Sequence, residues 1–147
     1  MEPLVAYLHY LAIVLIAGFL VGEMVVCRPS LDPAHVRLLP RLDIVFFAGA
    51  LLALATGLLR VFYYAKGVGF YLPNPFFVVK MALYLAIALL SIKPTVSFLR
   101  WRRQLAESGA LPPPAEITTA RRLIHIEVAL LALMPLMAVL MARGIGR

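Results

Sequence analysis

The sequence predicts an all-α integral membrane protein, a four-helix up-down bundle, and three observations carry that prediction. Of its 147 residues 63% are hydrophobic, against about 45–50% in soluble domains, and the mean hydropathy is +0.95. Four apolar stretches, about 4–26, 42–63, 76–98 and 123–142, each reach the roughly 20 residues that cross a bilayer. The connections between them are short and carry chain breakers, so residues 1–147 are expected to form a single transmembrane domain.

The first stretch, "MEPLVAYLHYLAIVLIAGFLVGEMVV", has no basic leader and no small-residue cleavage site, and Glu2 is the only charge before His9. It is therefore expected to stay as a membrane helix and not to act as a signal peptide. Gly18 and Gly22 form a small-xxx-small pair on it, the spacing that lets helix backbones approach closely in lipid. "RPSLDP" ends the helix. The second stretch carries a longer series, Gly49, Ala53 and Gly57, and "KGVGFYLPNP" ends it. The third, "NPFFVVKMALYLAIALLSIKP", keeps Lys80 near its start and Lys93 near its end. "ESGALPPPAE" precedes the fourth, where Pro135 removes a helical hydrogen bond and predicts a kink near mid-membrane. Membrane lipid is one expected partner. A second copy of the chain, docked through Gly18 and Gly22 or through Gly49, Ala53 and Gly57, is another.

The net charge is +7. In a multi-span protein, basic residues first report topology. Arg28, Arg37 and Arg41 fall in the 27–41 connection, and Arg100, Arg102, Arg103, Arg121 and Arg122 in the 99–122 connection. The opposite side holds Lys66, Arg143 and Arg147. This bias puts both termini on the outer, periplasmic side and leaves no need for a nucleic-acid partner. A single cysteine, Cys27, excludes an intrachain disulfide and any multi-cysteine metal motif. Phosphate-binding loops, nucleophile elbows, HExxH pairs and dinucleotide fingerprints are missing from the sequence, so nothing points to a soluble-type hydrolase or NTP-driven enzyme. No catalytic residue is assigned.

Depth sorts the intramembrane ionisable groups into two layers. Towards the arginine-rich side lie Glu23, Asp43, Lys93, His125 and Glu127. Asp43, just after Pro40, is expected in the first turn of the second helix, where the helix dipole favours a carboxylate. Glu23 and Glu127 are expected to form a proton or ion-pair site with Lys93, because short acidic side chains do not reach the interface as lysine does. Towards the termini lie His9, Arg60 and Lys80, with only Glu2 as a nearby acid. Either lipid phosphate or a bound anion completes this layer. Arg60 is eleven residues from Gly49 and so, at roughly 100° per residue, returns to the small-residue stripe and points into the bundle. Lys80, Tyr84 and Ser91 share one side of the third helix. His9 reads either as a hydrogen-bonded structural histidine or as the metal ligand of the outer layer, since an imidazole between bundle helices suits axial ligation of haem iron. The haem propionates would then pair with Arg60 and Lys80. Met134, Met137 and Met141 form a stripe that suits copper(I) thioether ligation or, more simply, apolar packing.

The segments "RLDIVFFAGALLALATGLLRVFYYAKGVGFYLPNPFFVVKMAL", "SIKPTVSFLRWRR" and "LMARGIG" resemble the small bacterial membrane proteins catalogued as domain of unknown function twenty-two fourteen. The likeness covers essentially the whole chain and implies a multi-pass protein of the bacterial inner (cytoplasmic) membrane. A more distant similarity is to the membrane-bound protoporphyrinogen oxidase and to CopD-type copper-resistance membrane proteins. It implies a haem-binding role for His9 in "YLHYLAIVLIAG" and for Lys80 in "FFVVKMAL", and matches Glu127 to an acid opening the last helix. The expected function is a membrane protein that binds b-type haem, or a related planar anionic cofactor, for electron transfer through His9, Arg60, Lys80 and Tyr84. The alternatives are a small proton-coupled anion or copper transporter and a non-catalytic assembly subunit.

Overall fold

The computed structural model describes residues 1–146; Arg147, counted above with the outer basic residues, lies outside them. Helix α1 spans Glu2–Val26. Helix α2 spans Pro33–Leu59 and continues through a π-helical turn at Arg60–Tyr64. A single turn, α3 at Val68–Tyr71, leads to α4 at Pro75–Ser108, and α5 covers Pro114–Ala142. Four helices, α1, α2, α4 and α5, are long and apolar enough to cross a membrane.

Three of these helices run past the apolar stretches that announce them. Helix α4 has 34 residues, about 51 Å at 1.5 Å per residue, against a hydrocarbon core of about 30 Å. Hydropathy marks where a helix meets lipid, whereas "LRWRRQLAES" at 99–108 is polar yet rich in helix formers, so the helix continues beyond the bilayer. Gly109 stops it in the left-handed conformation, φ +68°, and Pro113 precedes the next start. The arginine-rich connection is thus largely helical. Across it, Arg100 pairs with Glu116, and the Trp101 indole donates to the same carboxylate at 3.2 Å.

Helix α2 begins nine residues earlier than its apolar stretch. Asp32 is its N-cap, accepting from the His35 amide at 2.8 Å, and Pro33 stands at the first helical position. Pro40 is carried inside the helix and does not open it. Asp43 is therefore not a first-turn acid, and the expected dipole role does not apply to it.

Helix α1 packs chiefly on α2, and α4 on α5, making two hairpins that meet along α2/α4 and α1/α5. At Gly49 α1 and α2 approach closely. A Cβ there would lie 3.3 Å from Ile16 Cγ1 and Leu15 Cβ and 3.4 Å from the Ala12 carbonyl. The Gly49, Ala53 and Gly57 stripe therefore lies against α1 within the chain. Gly22 faces Leu42, and Gly18 has open space beside it.

The core is uneven along the bundle axis. Leu20, Cys27, Leu39, Phe98, Trp101 and Ile124 are all fully buried near the arginine-rich end. From Pro75 to Ala86 in α4 and from Val128 to Leu140 in α5, no residue is fully buried. The half of the bundle that carries both termini is the looser half.

Candidate functional site

Two polar centres lie inside the bundle, one in each half. In the denser half, the side chains of Glu23 on α1, Asp43 on α2 and Glu127 on α5 converge, exposed by only 1%, 4% and 1%. Glu23 and Asp43 are within hydrogen-bonding range of one another, and Glu127 is close enough to interact electrostatically with both. From α4, the Thr95 hydroxyl donates to Asp43 Oδ2 at 2.6 Å. One oxygen of Glu23 and both oxygens of Glu127 are buried without a hydrogen-bond partner.

The ion pairs expected in this layer do not form. Lys93 is exposed and lines a cleft with Ser97, Arg100, Glu116 and Thr119. The reason is angular: Ser91 and Thr95, four residues apart, face inward, and Lys93 midway between them is rotated roughly 200° from either. Among the described residues the only ion pairs are Asp32 with His35 and Arg100 with Glu116. His125 also stays apart, with Nδ1 2.7 Å from the Arg121 carbonyl and its side chain outward. Burying a carboxylate with neither cation nor donor is strongly unfavourable, so the neutral way to hold three acids here is to hold protons with them.

In the looser half, His9, Arg60 and Lys80 come together as the sequence predicts: each lies within electrostatic range of the other two, and all three are half-buried. His9 Nδ1 is 2.9 Å from Thr56 Oγ1. The Thr56 hydroxyl already donates its proton to the Leu52 carbonyl at 2.6 Å, so it accepts from His9 Nδ1–H and leaves the lone pair on Nε2. Gly57 gives the ring its space, since a Cβ there would lie 3.2 Å from His9 Cε1. The Arg60 guanidinium stands 5.8 Å over the Tyr10 ring, and its buried Nε has no hydrogen-bond partner. Arg60 opens the π-helical turn, closed by the Ala65 amide donating to the Arg60 carbonyl at 2.8 Å; such turns recur at functional sites.

Tyr84 is placed on the same side of α4 as Lys80 and Ser91, but its hydroxyl donates to the Ala50 carbonyl at 2.7 Å. It ties α4 to α2. Met134 packs against the core, and among the described residues no group of three His, Cys, Asp or Glu has metal-holding geometry.

A family model described as "Predicted membrane protein (DUF2214)" matches residues 1–146. The chain belongs to this family. Membership agrees with the four candidate spans and makes the DUF2214 chain a multi-pass membrane protein. A search of curated proteins and a search of solved structures each found no match. The distant likeness to protoporphyrinogen oxidase and CopD-type proteins thus gains no support from them.

Three residues of the two polar centres in this DUF2214 chain were not assigned that place from the sequence. Thr56 sits on the small-residue stripe, which could have marked it as facing α1. Thr95 is one turn from Ser91 on the inward side of α4. Asp43 was masked by Pro40, read as a helix boundary.

Proposed function

We propose that this chain is a proton-coupled membrane carrier in which the Glu23, Asp43 and Glu127 cluster takes up and releases the proton. The observation that carries this reading is Glu127, 1% exposed with both carboxyl oxygens unpartnered. A static structural acid would have a cation or several donors around it. Here the charged groups within electrostatic range are two further acids, and the four spanning helices each contribute one polar side chain, with Thr95 as the fourth. Intramembrane carboxyl groups on the bundle interior are the usual material of proton relays. The arginine bias between connections supports the bacterial inner membrane with both termini periplasmic.

The test is Glu127→Gln, which keeps the shape and removes the titratable proton. Wild-type protein in liposomes is expected to dissipate an imposed pH gradient and to show a protonated-carboxyl band in infrared difference spectra; the variant loses both. Unchanged flux and an unchanged band in Glu127→Gln and in Glu23→Gln sink the reading.

A second reading, binding of b-type haem for electron transfer, is favoured by one observation: Thr56 holds the His9 proton on Nδ1. Metal-binding histidines are oriented in this way by a partner on the other ring nitrogen. His9 would hold the iron through Nε2, and Arg60 and Lys80 would pair with the propionates. Haem added to the purified protein should then give a visible absorption band that His9→Ala abolishes. A wild-type protein that stays colourless after reconstitution rejects it.

A further inference from the structure

We infer that the His9, Arg60 and Lys80 cluster is a binding site for an oxyanion of the phosphate class, supplied either as dissolved phosphate or as a lipid headgroup. The inference names the cargo class for the proposed carrier, and so rests on that reading for its role in transport, but the binding site itself stands on the basic cluster alone.

Charge comes first. Of the seven acids in the chain, only Glu2 is at the termini end; it sits exposed in the first turn of α1, about two turns from His9. Arg60, in the π-helical turn that continues α2, and Lys80 on α4 lie within electrostatic range of one another with no carboxylate near them, and an imidazole from α1 is the third member. Like charges gathered in a half-dry place are unfavourable unless an anion joins them. Donor geometry comes second. The Arg60 Nε–H is buried and unpartnered. Together with an Nη–H it forms the side-on pair that receives two oxygens of one oxyanion, a match that a halide does not make. Lys80 adds a point charge. Space comes third. His9, Arg60 and Lys80 are each only partly buried, so the cluster can be reached from outside the bundle. Tyr10 covers one face of the guanidinium, and Thr56 fixes the imidazole, which leaves the cluster oriented before an anion arrives.

The experiment uses full-length protein in mild detergent. Equilibrium dialysis against radiolabelled inorganic phosphate reads the dissolved source, and native mass spectrometry of retained phosphatidylglycerol reads the lipid source. Saturable phosphate binding that weakens tenfold or more in both Arg60→Gln and Lys80→Gln supports a dissolved anion. One phosphatidylglycerol per chain, lost in the same variants, supports a headgroup. Lys80→Arg, which keeps the charge, should bind in either case and controls for folding, with helix content followed by circular dichroism. Wild-type protein that neither binds phosphate nor retains the lipid overturns the inference, as does binding that both Gln variants leave unchanged. Glu127→Gln should still bind the anion, so failure of the proton reading and failure of this site are separable.

Discussion

Glu127→Leu should make the protein more stable while removing its proposed activity. Both Glu127 oxygens are buried without a partner and the side chain is 1% exposed. Each buried, unpartnered polar atom costs about 1–3 kcal/mol, and replacing such a group by an apolar one of similar size recovers part of that. The structure offers no hydrogen bond to subtract, so the expected gain is about 1–3 kcal/mol. Asp43→Leu is the internal contrast. Asp43 accepts from Thr95 at 2.6 Å and lies against Glu23, so its removal strands a hydroxyl and should destabilise by about 1–2 kcal/mol. The assay is equilibrium unfolding in mixed micelles followed by the fluorescence of Trp101, the sole tryptophan, which is 1% exposed in the core. Destabilisation of 1 kcal/mol or more by Glu127→Leu would falsify the reasoning, because it would mean the carboxyl group holds helices together.

Gly49→Val should destabilise by about 2 kcal/mol through overpacking, since Leu15 Cβ and the Ala12 carbonyl are fixed to the α1 backbone at 3.3 and 3.4 Å; Gly18→Val, with open space beside it, should change unfolding by no more than about 0.5 kcal/mol. Glu116→Ala removes the acceptor for both Arg100 and the buried Trp101 indole, and a loss of about 1–2 kcal/mol is expected in the same assay after allowing for the exposed side of the pair. Burial pushes the Cys27 thiol up to about 11 despite the nearby Arg121 guanidinium. At pH 8, roughly one thiolate in a thousand is then present, so a water-soluble maleimide should label the folded protein far more slowly than the unfolded one; equal rates would show that Cys27 is not enclosed.

Helix number was legible because lipid imposes a length and a composition on each span, and both are properties of contiguous sequence. The grouping of His9, Arg60 and Lys80 was legible for a related reason: three basic side chains at one level of the bundle with one distant acid is a statement about position along the chain. Azimuth was legible only within a helix. The eleven-residue step from Gly49 correctly put Arg60 on the inward stripe, and Lys80, Tyr84 and Ser91 do share a side of α4. Which faces of different helices meet is set by packing, and there the reading failed. Lys93 has the right depth to neutralise Glu23 and Glu127 but sits on the wrong side of α4. Helix ends beyond the bilayer were also hidden, since hydropathy ends where lipid ends, while propensity carries α4 to Ser108 and Asp32 starts α2 well before Asp43.

The two polar centres differ in how they reach neutrality, and the difference bears on coupling. The acids near the arginine-rich end are not offset by the cations near the termini, because they lie in opposite halves of a bundle whose interior between them is apolar. Each centre must therefore take its own counter-charge, protons in one and an anion in the other. Occupying either alone leaves the other half with uncompensated charge in a low-dielectric interior, whereas occupying both brings the interior to neutrality. An anion at Arg60 and Lys80 makes the bundle interior more negative and so favours a proton on the carboxyl cluster, with the sign fixed by Coulomb's law and the size by the depth of the separation. Linkage is reciprocal: a proton on Glu127 must tighten anion binding by the factor by which the anion tightens proton binding. Phosphate affinity measured in Glu127→Gln, which mimics the protonated state at that position, should thus depend less steeply on pH than wild-type affinity, which should fall as the cluster deprotonates. Parallel pH profiles for the two proteins would show that the two centres act independently.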